Sequence, residues 1–364
     1  MLPLEVPAFY CPLPLIMHPE LELIAKGSLD WFQGFGFFPG EERRRALRDW
    51  LFTELVAYCY PDDDPDRVQL MADLVHWTTF DDSQIDGDDS YVRDTCTEQA
   101  GGLLALSVKL VRMLETGDPD LLPSDPWIGS LFDLRRRVAA IATPAQLARW
   151  TGAFREYLLA AAWKNSCARR RIQPSLADYL TMRTAGGGVQ LYTTLSDVVG
   201  GYQLTDAELS HPPVRALTDM AHTIVAWDND LFSDYKETLT EDPAINLVTV
   251  LAAEHGYDKQ RAVPVAMAMR DRALGRYLRV LRHTGDSLTE AQRRYVLSLS
   301  RWIASNIETS ALSTRYTNPL DQPAAAMPHA EFATDRTAAP TDDNPTPLPF
   351  PTIAWWWNES LAPR

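Results

Sequence analysis

Apolar residues in this chain recur three and four positions apart over long stretches, the spacing that gathers them on one face of a helix. The pattern predicts helices near residues 43–60, 67–84, 98–115, 126–141, 144–171, 175–199, 214–236, 241–255, 258–284 and 288–312. Turn and cap residues punctuate them, among them Pro61-Asp62-Asp63-Asp64-Pro65, Gly117-Asp118-Pro119, Thr143-Pro144, Pro174-Ser175 and Gly285-Asp286-Ser287. Alternating strand-like segments bounded by hairpin turns are hard to find, so the expected fold is all-α. Helices this long suit a single bundle around a central apolar cavity, and no repeat of solenoid period is evident.

Outside the helical pattern the chain changes character. Residues 1–40, rich in Pro, aromatics and Gly, read as an N-terminal lead-in, and 41–316 as the helical domain. Residues 317–364 have the Pro-rich composition of a partly disordered tail. Near its end, Ala354-Trp355-Trp356-Trp357 forms an apolar knot. It reads as an anchor packing back on the body, with a lid or partner-binding role as the alternative.

Composition removes several function classes. Hydrophobic residues make up 46% of 364, with 11 Trp, enough for a large core and an aromatic cavity. The 34 basic against 49 acidic residues give a net charge of −15, which argues against general binding to nucleic acid or to an anionic membrane surface. Cys11, Cys59, Cys96 and Cys167 are scattered, with no CxxC pair, so structural zinc and a disulfide framework are not expected. A cytoplasmic location follows as the default. The N-terminus lacks the pattern of a signal peptide, and no run approaches 18 uninterrupted apolar residues.

The candidate chemistry lies in two places. Asn229, Ser233 and Glu237 stand four apart and therefore on nearly one face of a helix. Amide, hydroxyl and carboxylate oxygens in a row suit a hard divalent cation such as Mg²⁺ better than zinc or copper. Upstream, Asp81, Asp82 and Asp86 form a second acidic cluster that Asp89 continues. Taken alone, that cluster reads equally as a solvated helix end. Each follows an apolar helical run, Leu74-Val75-His76-Trp77 and Ala221 to Trp227, so each puts oxygen donors at the mouth of a greasy helix. Such an arrangement suggests a metal-bound phosphate above an apolar pocket.

An anion also needs positive charge. Arg183 precedes Gly186-Gly187-Gly188. Glycines inside a helix cost about 1 kcal/mol each against alanine, so this run implies a break or a close backbone approach to a ligand. Arg315 beside Tyr316 offers a planar fork suited to phosphate oxygens, and Lys236 adds a point charge.

In this order, the pieces resemble a bacterial class I terpene synthase over roughly residues 70–317. The resemblance implies an α-bundle that holds three Mg²⁺ ions and the diphosphate of a linear prenyl diphosphate. Asp81, Asp82 and Asp86 would bind two ions, and Asn229, Ser233 and Glu237 the third. Arg183 would sense the diphosphate, with Gly186 as linker and Gly187 as an effector whose carbonyl faces the substrate. Lys236, Arg315 and Tyr316 would contact the diphosphate. The chain departs from the family pattern at Ile85, where the third aspartate is commonly found, at the non-acidic Gly186, and at Thr309, where a Trp often stands.

The implied reaction is ionisation to an allylic cation, cyclisation to a hydrocarbon or alcohol, and release of diphosphate. Metal ions and basic groups would neutralise the departing group. Phe80 or Trp77 would either stabilise the cation or simply fill the core. The favoured substrate is farnesyl diphosphate, with geranylgeranyl diphosphate as the alternative. More distant readings are a prenyl-chain-elongating synthase, which would carry a second aspartate motif, and a non-catalytic helical interaction protein. Asp86-Gly87-Asp88-Asp89 also spells a protonating acid motif of a different fold, here abutting the metal cluster. No nucleic-acid or membrane partner is expected, and a homodimer is left open.

Overall fold

The computed structural model describes residues 2–37, 40–86, 102–240 and 244–363; the side chains of Glu42 and residues 80–86 are not described. Among the described residues the regular elements are helices, joined by one isolated bridge between Tyr10 and Thr337. The fold is all-α.

The lead-in contains a helix, α1 (Leu21–Gly34), which buries Ile24, Ser28 and Phe32 at four-residue spacing. A serine in the middle of that stripe weakens its apolar period. The stretch at 43–60 is two helices rather than one, α2 (Glu41–Asp49) and α3 (Phe52–Cys59). Leu51 separates them in the left-handed region at φ 61°. The break turns the arginine-rich α2 away while α3 buries Phe52, Leu55, Val56 and Cys59. Helix α4 (Pro65–Asp86) starts where the Asp64 carboxylate accepts from the backbone N–H groups of Asp66 and Arg67.

Next come α5 (Gly102–Thr116), α6 (Pro126–Ile141) and α7 (Pro144–Arg169). Asp125 caps α6, and Thr143 with Gln146 forms a capping box on α7. The predicted helix over 175–199 is three short ones: α8 (Leu176–Gly186), α9 (Val189–Thr193) and α10 (Ser196–Val199). The glycine run accounts for the first of the two breaks, between α8 and α9. Gly188 sits at φ 77°, which few other residues adopt without strain.

After a short α11 (Asp206–Leu209) the chain enters α12 (Pro212–Thr240), then α13 (Leu247–His255), α14 (Lys259–Thr284), α15 (Glu290–Ser310) and α16 (Thr314–Thr317). Helix α12 packs against both α14 and α15, and α3 packs on α15. This central position explains why α12 buries residues over most of its circumference, including Trp227, Phe232, Ser233 and Glu237.

The tail, expected to be partly disordered, lies against the body as an irregular strap ending in α17 (Pro351–Ala354). Trp356 and Trp357 are buried, which is the anchor reading of the apolar knot. The wholly buried Arg276 on α14 donates to the carbonyl oxygens of Trp356 (2.7 Å), Asn358 (2.9 Å), Ala362 and Pro363 (3.1 Å). Further along the strap, Phe332 packs edge-on against Phe232 of α12. Among the described residues no helix is long and apolar enough to cross a membrane.

Candidate active site

Helices α3, α4, α7, α8, α9, α12 and α15 enclose a cleft of about 1210 Å³, its open mouth included. Phe52, Leu55, Val75, Val189, Val225 and Trp302 give it apolar walls. Thr78, Thr79, Lys164, Arg183, Asn229, Ser233, Lys236, Glu237, Arg315 and Tyr316 supply the polar part. Asn229, Ser233 and Glu237 of the downstream motif lie on the polar side of this apolar hollow.

The downstream triad occupies the rim as spaced. Ser233 Oγ donates to Glu237 Oε1 at 2.9 Å, and Asn246 Nδ2 donates to Glu237 Oε2 at 2.8 Å. Asn229 is held at both ends of its amide: Arg183 Nη2 donates to Oδ1 at 3.0 Å, and Asn229 Nδ2 donates to the Tyr316 hydroxyl at 2.9 Å. Three residues far apart in sequence thus meet at one amide.

Arg183 is the hub of the rim. Its Nη1 donates to the Gly186 carbonyl and its Nη2 to the Ala226 carbonyl, each at 3.3 Å. Nη2 also pairs with Asp230 Oδ1 at 2.6 Å. Asp230 accepts further from the Tyr179 hydroxyl and from the backbone N–H of Leu247. Burial pushes the Asp230 carboxyl well above its ordinary range, and the nearby Glu237 carboxylate adds to that.

The glycine run ends α8 beside the cleft. A Cβ on Gly187 would lie 3.1 Å from that of Ala226, a tight contact that would push the end of α8 and α12 apart by a few tenths of an ångström. Gly186 is the last residue of α8 and gives its carbonyl to Arg183. Arg315 lies over the Trp50 ring at 5.3 Å and, like Tyr316, is buried. Ser313 Oγ and Thr314 Oγ1 donate to the carbonyls of Trp50 and Asp49, tying this pair to the α2–α3 corner.

Asp81, Asp82 and Asp86 lie on the last turns of α4, but their side chains are outside the described residues, as is Asp89 altogether. Phe80 is likewise without a described side chain. Trp77 belongs to the core: it stacks on Trp127 at 4.7 Å and is fully buried, away from the cleft. Among the described residues no three His, Cys, Asp or Glu side chains converge as a metal cluster. The triad has a single carboxylate, so its fit to a metal rests on its mixed oxygen donors, which suit a hard cation.

Several lining groups escaped the motif reading. Tyr192 stacks on Trp302 at 5.3 Å, and its hydroxyl bonds Thr78 Oγ1 at 2.5 Å. The Trp302 indole N–H donates to the Tyr60 hydroxyl at 3.2 Å. No spacing announces these aromatics. Lys164 offered a faint signal, a lone cation closing the run Ala160-Ala161-Ala162-Trp163. Asn246 carried none, since it reads as an ordinary helix cap.

Residues 74–276 match the family model for terpene synthase family 2, C-terminal metal binding. The chain belongs to the bacterial class I terpene synthases. Bonnadiene synthase of Allokutzneria albata is 60% identical over 98% of both chains. The (+)-T-muurolol synthase ((2E,6E)-farnesyl diphosphate cyclizing) of Streptomyces clavuligerus is 34% identical, covering 96% of this chain and 81% of that protein. In structure, the SVS_A2 protein from ancestral sequence reconstruction aligns with a TM-score of 0.81 at 29% identity, over 98% of this chain and 100% of the other. The protein is therefore an enzyme, a terpene cyclase, of a family that binds metal.

Proposed function

We propose that this terpene synthase ionises a linear prenyl diphosphate in the presence of Mg²⁺ and cyclises the resulting allylic cation to a hydrocarbon or alcohol. The observation that carries the reading is the meeting of Arg183, Asn229 and Tyr316 at the rim of an apolar cleft, with Ser233 and Glu237 one and two turns further along α12.

Asn229, Ser233 and Glu237 would hold one Mg²⁺. Asp81, Asp82 and Asp86 would hold two more, since α4 leads to them through Thr78 and Thr79 at the cleft. Bound there, the metal supplies charge neutralisation for the leaving diphosphate. Arg183, Lys236, Arg315 and Tyr316 bind and orient the same group with directed hydrogen bonds. The Gly187 carbonyl, freed by the end of α8, faces positive charge left on the substrate. The apolar walls exclude water and dictate how the chain folds. Trp302 and Tyr192 present π-faces that favour a passing cation by about 0.5–2 kcal/mol each.

Farnesyl diphosphate is the first substrate to test, because the S. clavuligerus relative is named for cyclising it. The twenty-carbon geranylgeranyl diphosphate is the second, favoured by the small wall residues Ala160, Ala161, Gly187, Val189 and Val225, which leave room for a longer chain. Incubation of the enzyme and Mg²⁺ with ten-, fifteen- and twenty-carbon diphosphates, followed by analysis of extracted terpenes, decides between them. A cyclic product from one chain length names the substrate; none from any, with diphosphate retained, defeats the proposal. The assignment as a cytoplasmic protein and the homodimer belong to the same proposal, the latter tested by its mass in solution.

A further inference from the structure

We infer that Asn246 is a positioning residue for the triad: its buried amide aims the Glu237 carboxylate at the metal while capping the next helix. This rests on the triad holding a metal ion.

Asn246 is fully buried between α12 and α13. Its Oδ1 accepts from the Thr249 backbone N–H at 2.8 Å, which caps α13. In the amide only the NH₂ donates, so it is the nitrogen that engages carboxylates of the site while the oxygen accepts in the cap. Nδ2 donates to Glu237 Oε2 at 2.8 Å and to Asp234 Oδ1 at 3.1 Å. Asp234 is itself held by Lys259 Nζ at 2.7 Å. The next residue joins the same face, since Leu247 N donates to Asp230, the partner of Arg183.

The contact reaches the triad as well as the helix cap. Ser233 engages Oε1 of Glu237, and Asn246 engages Oε2, so the carboxylate plane is fixed from both sides. A carboxylate that turns freely pays rotamer entropy on binding a cation; one held by a second hydrogen-bonding partner does not. Residues of this kind typically change metal affinity about 10- to 100-fold when removed.

The two halves of the amide can be separated. In Asn246→Ser the hydroxyl still suits the cap of α13 but is too short to serve Glu237. Asn246→Ala loses both. The probe is Mn²⁺ in place of Mg²⁺, with free Mn²⁺ counted by electron paramagnetic resonance in the presence of inorganic diphosphate. Thermal melts report the cap. The expected result is Mn²⁺ affinity about tenfold or more weaker in both variants, while Asn246→Ser keeps the higher melting temperature of the two. Wild-type affinity in Asn246→Ser overturns the inference, as does a loss of affinity that only tracks melting temperature. Glu237→Gln is measured alongside. If it binds Mn²⁺ as the wild type does, the triad's metal role fails first; if it weakens binding and Asn246→Ser does not, the role of Asn246 alone fails.

Discussion

Glu237 gives the triad its single carboxylate, with one oxygen on Ser233 and the other on Asn246. Glu237→Gln keeps the shape and removes the charge, so turnover should fall at least about 100-fold with the helical circular dichroism unchanged. Activity close to wild type in steady-state assays would detach the triad from the reaction. Arg183 makes a different demand. Its planar fork reaches Gly186, Ala226, Asn229 and Asp230 at once, a geometry no ammonium reproduces. Arg183→Lys should therefore cost about tenfold or more in kcat/KM despite the conserved charge. Glu237 was legible in the sequence because it falls at helical spacing from Asn229 and Ser233 after an apolar run, and Arg183 because it precedes the glycine run. Tyr192 and Trp302 were not, since a buried aromatic carries no spacing that separates a cleft wall from any other position, and Lys164 showed only faintly as a cation closing an apolar run.

The end of α8 shows what a helix boundary does for the site. Gly188 stands at φ 77°, and a Cβ there would lie 2.9 Å from the Tyr192 hydroxyl. Gly188→Ala should cost about 1–2 kcal/mol from the left-handed backbone alone, read as a lower melting temperature. Gly187→Ala meets Ala226 of α12 instead, so it should reduce turnover more than stability, measured by kcat beside a thermal melt. The glycine run announced the break in the sequence, but nothing there divided 43–60 at Leu51 or revealed α1, whose buried stripe includes a serine. Two helices also carry buried histidines. Burial alone pushes His76 on α4 and His222 on α12 down to about 3. An unfolded histidine titrates near 6.5, so stability is complete above that value and lost as pH falls toward 3, by up to about 1.4 kcal/mol per pH unit for each. Melting temperature should drop between pH 6.5 and pH 4, and His222→Gln should flatten that slope.

The bundle and its strap act together. The all-α architecture and the order of the long helices were readable because period 3.6 persists through most of the chain. The tryptophan anchor of the strap was readable as an apolar knot, but its ordered course was not, because proline-rich composition conceals that Arg276 gathers the carbonyls of its last turns and that Phe332 backs the triad helix through Phe232. Arg276→Leu leaves those buried carbonyls without a donor, at a cost of about 1–3 kcal/mol. The strap should then be clipped by protease within residues 320–363 under conditions where the wild type stays whole. The account as a whole claims that α12 and the end of α4 face each other across one apolar hollow and share a metal cluster. The most direct measurement is a crystal structure soaked with Mn²⁺ and inorganic diphosphate, read by anomalous scattering. The account predicts one peak on Asn229, Ser233 and Glu237, others on the α4 aspartates, and diphosphate between Arg183, Lys236, Arg315 and Tyr316. Peaks confined to surface acids, with the triad bare at saturating Mn²⁺, would contradict it.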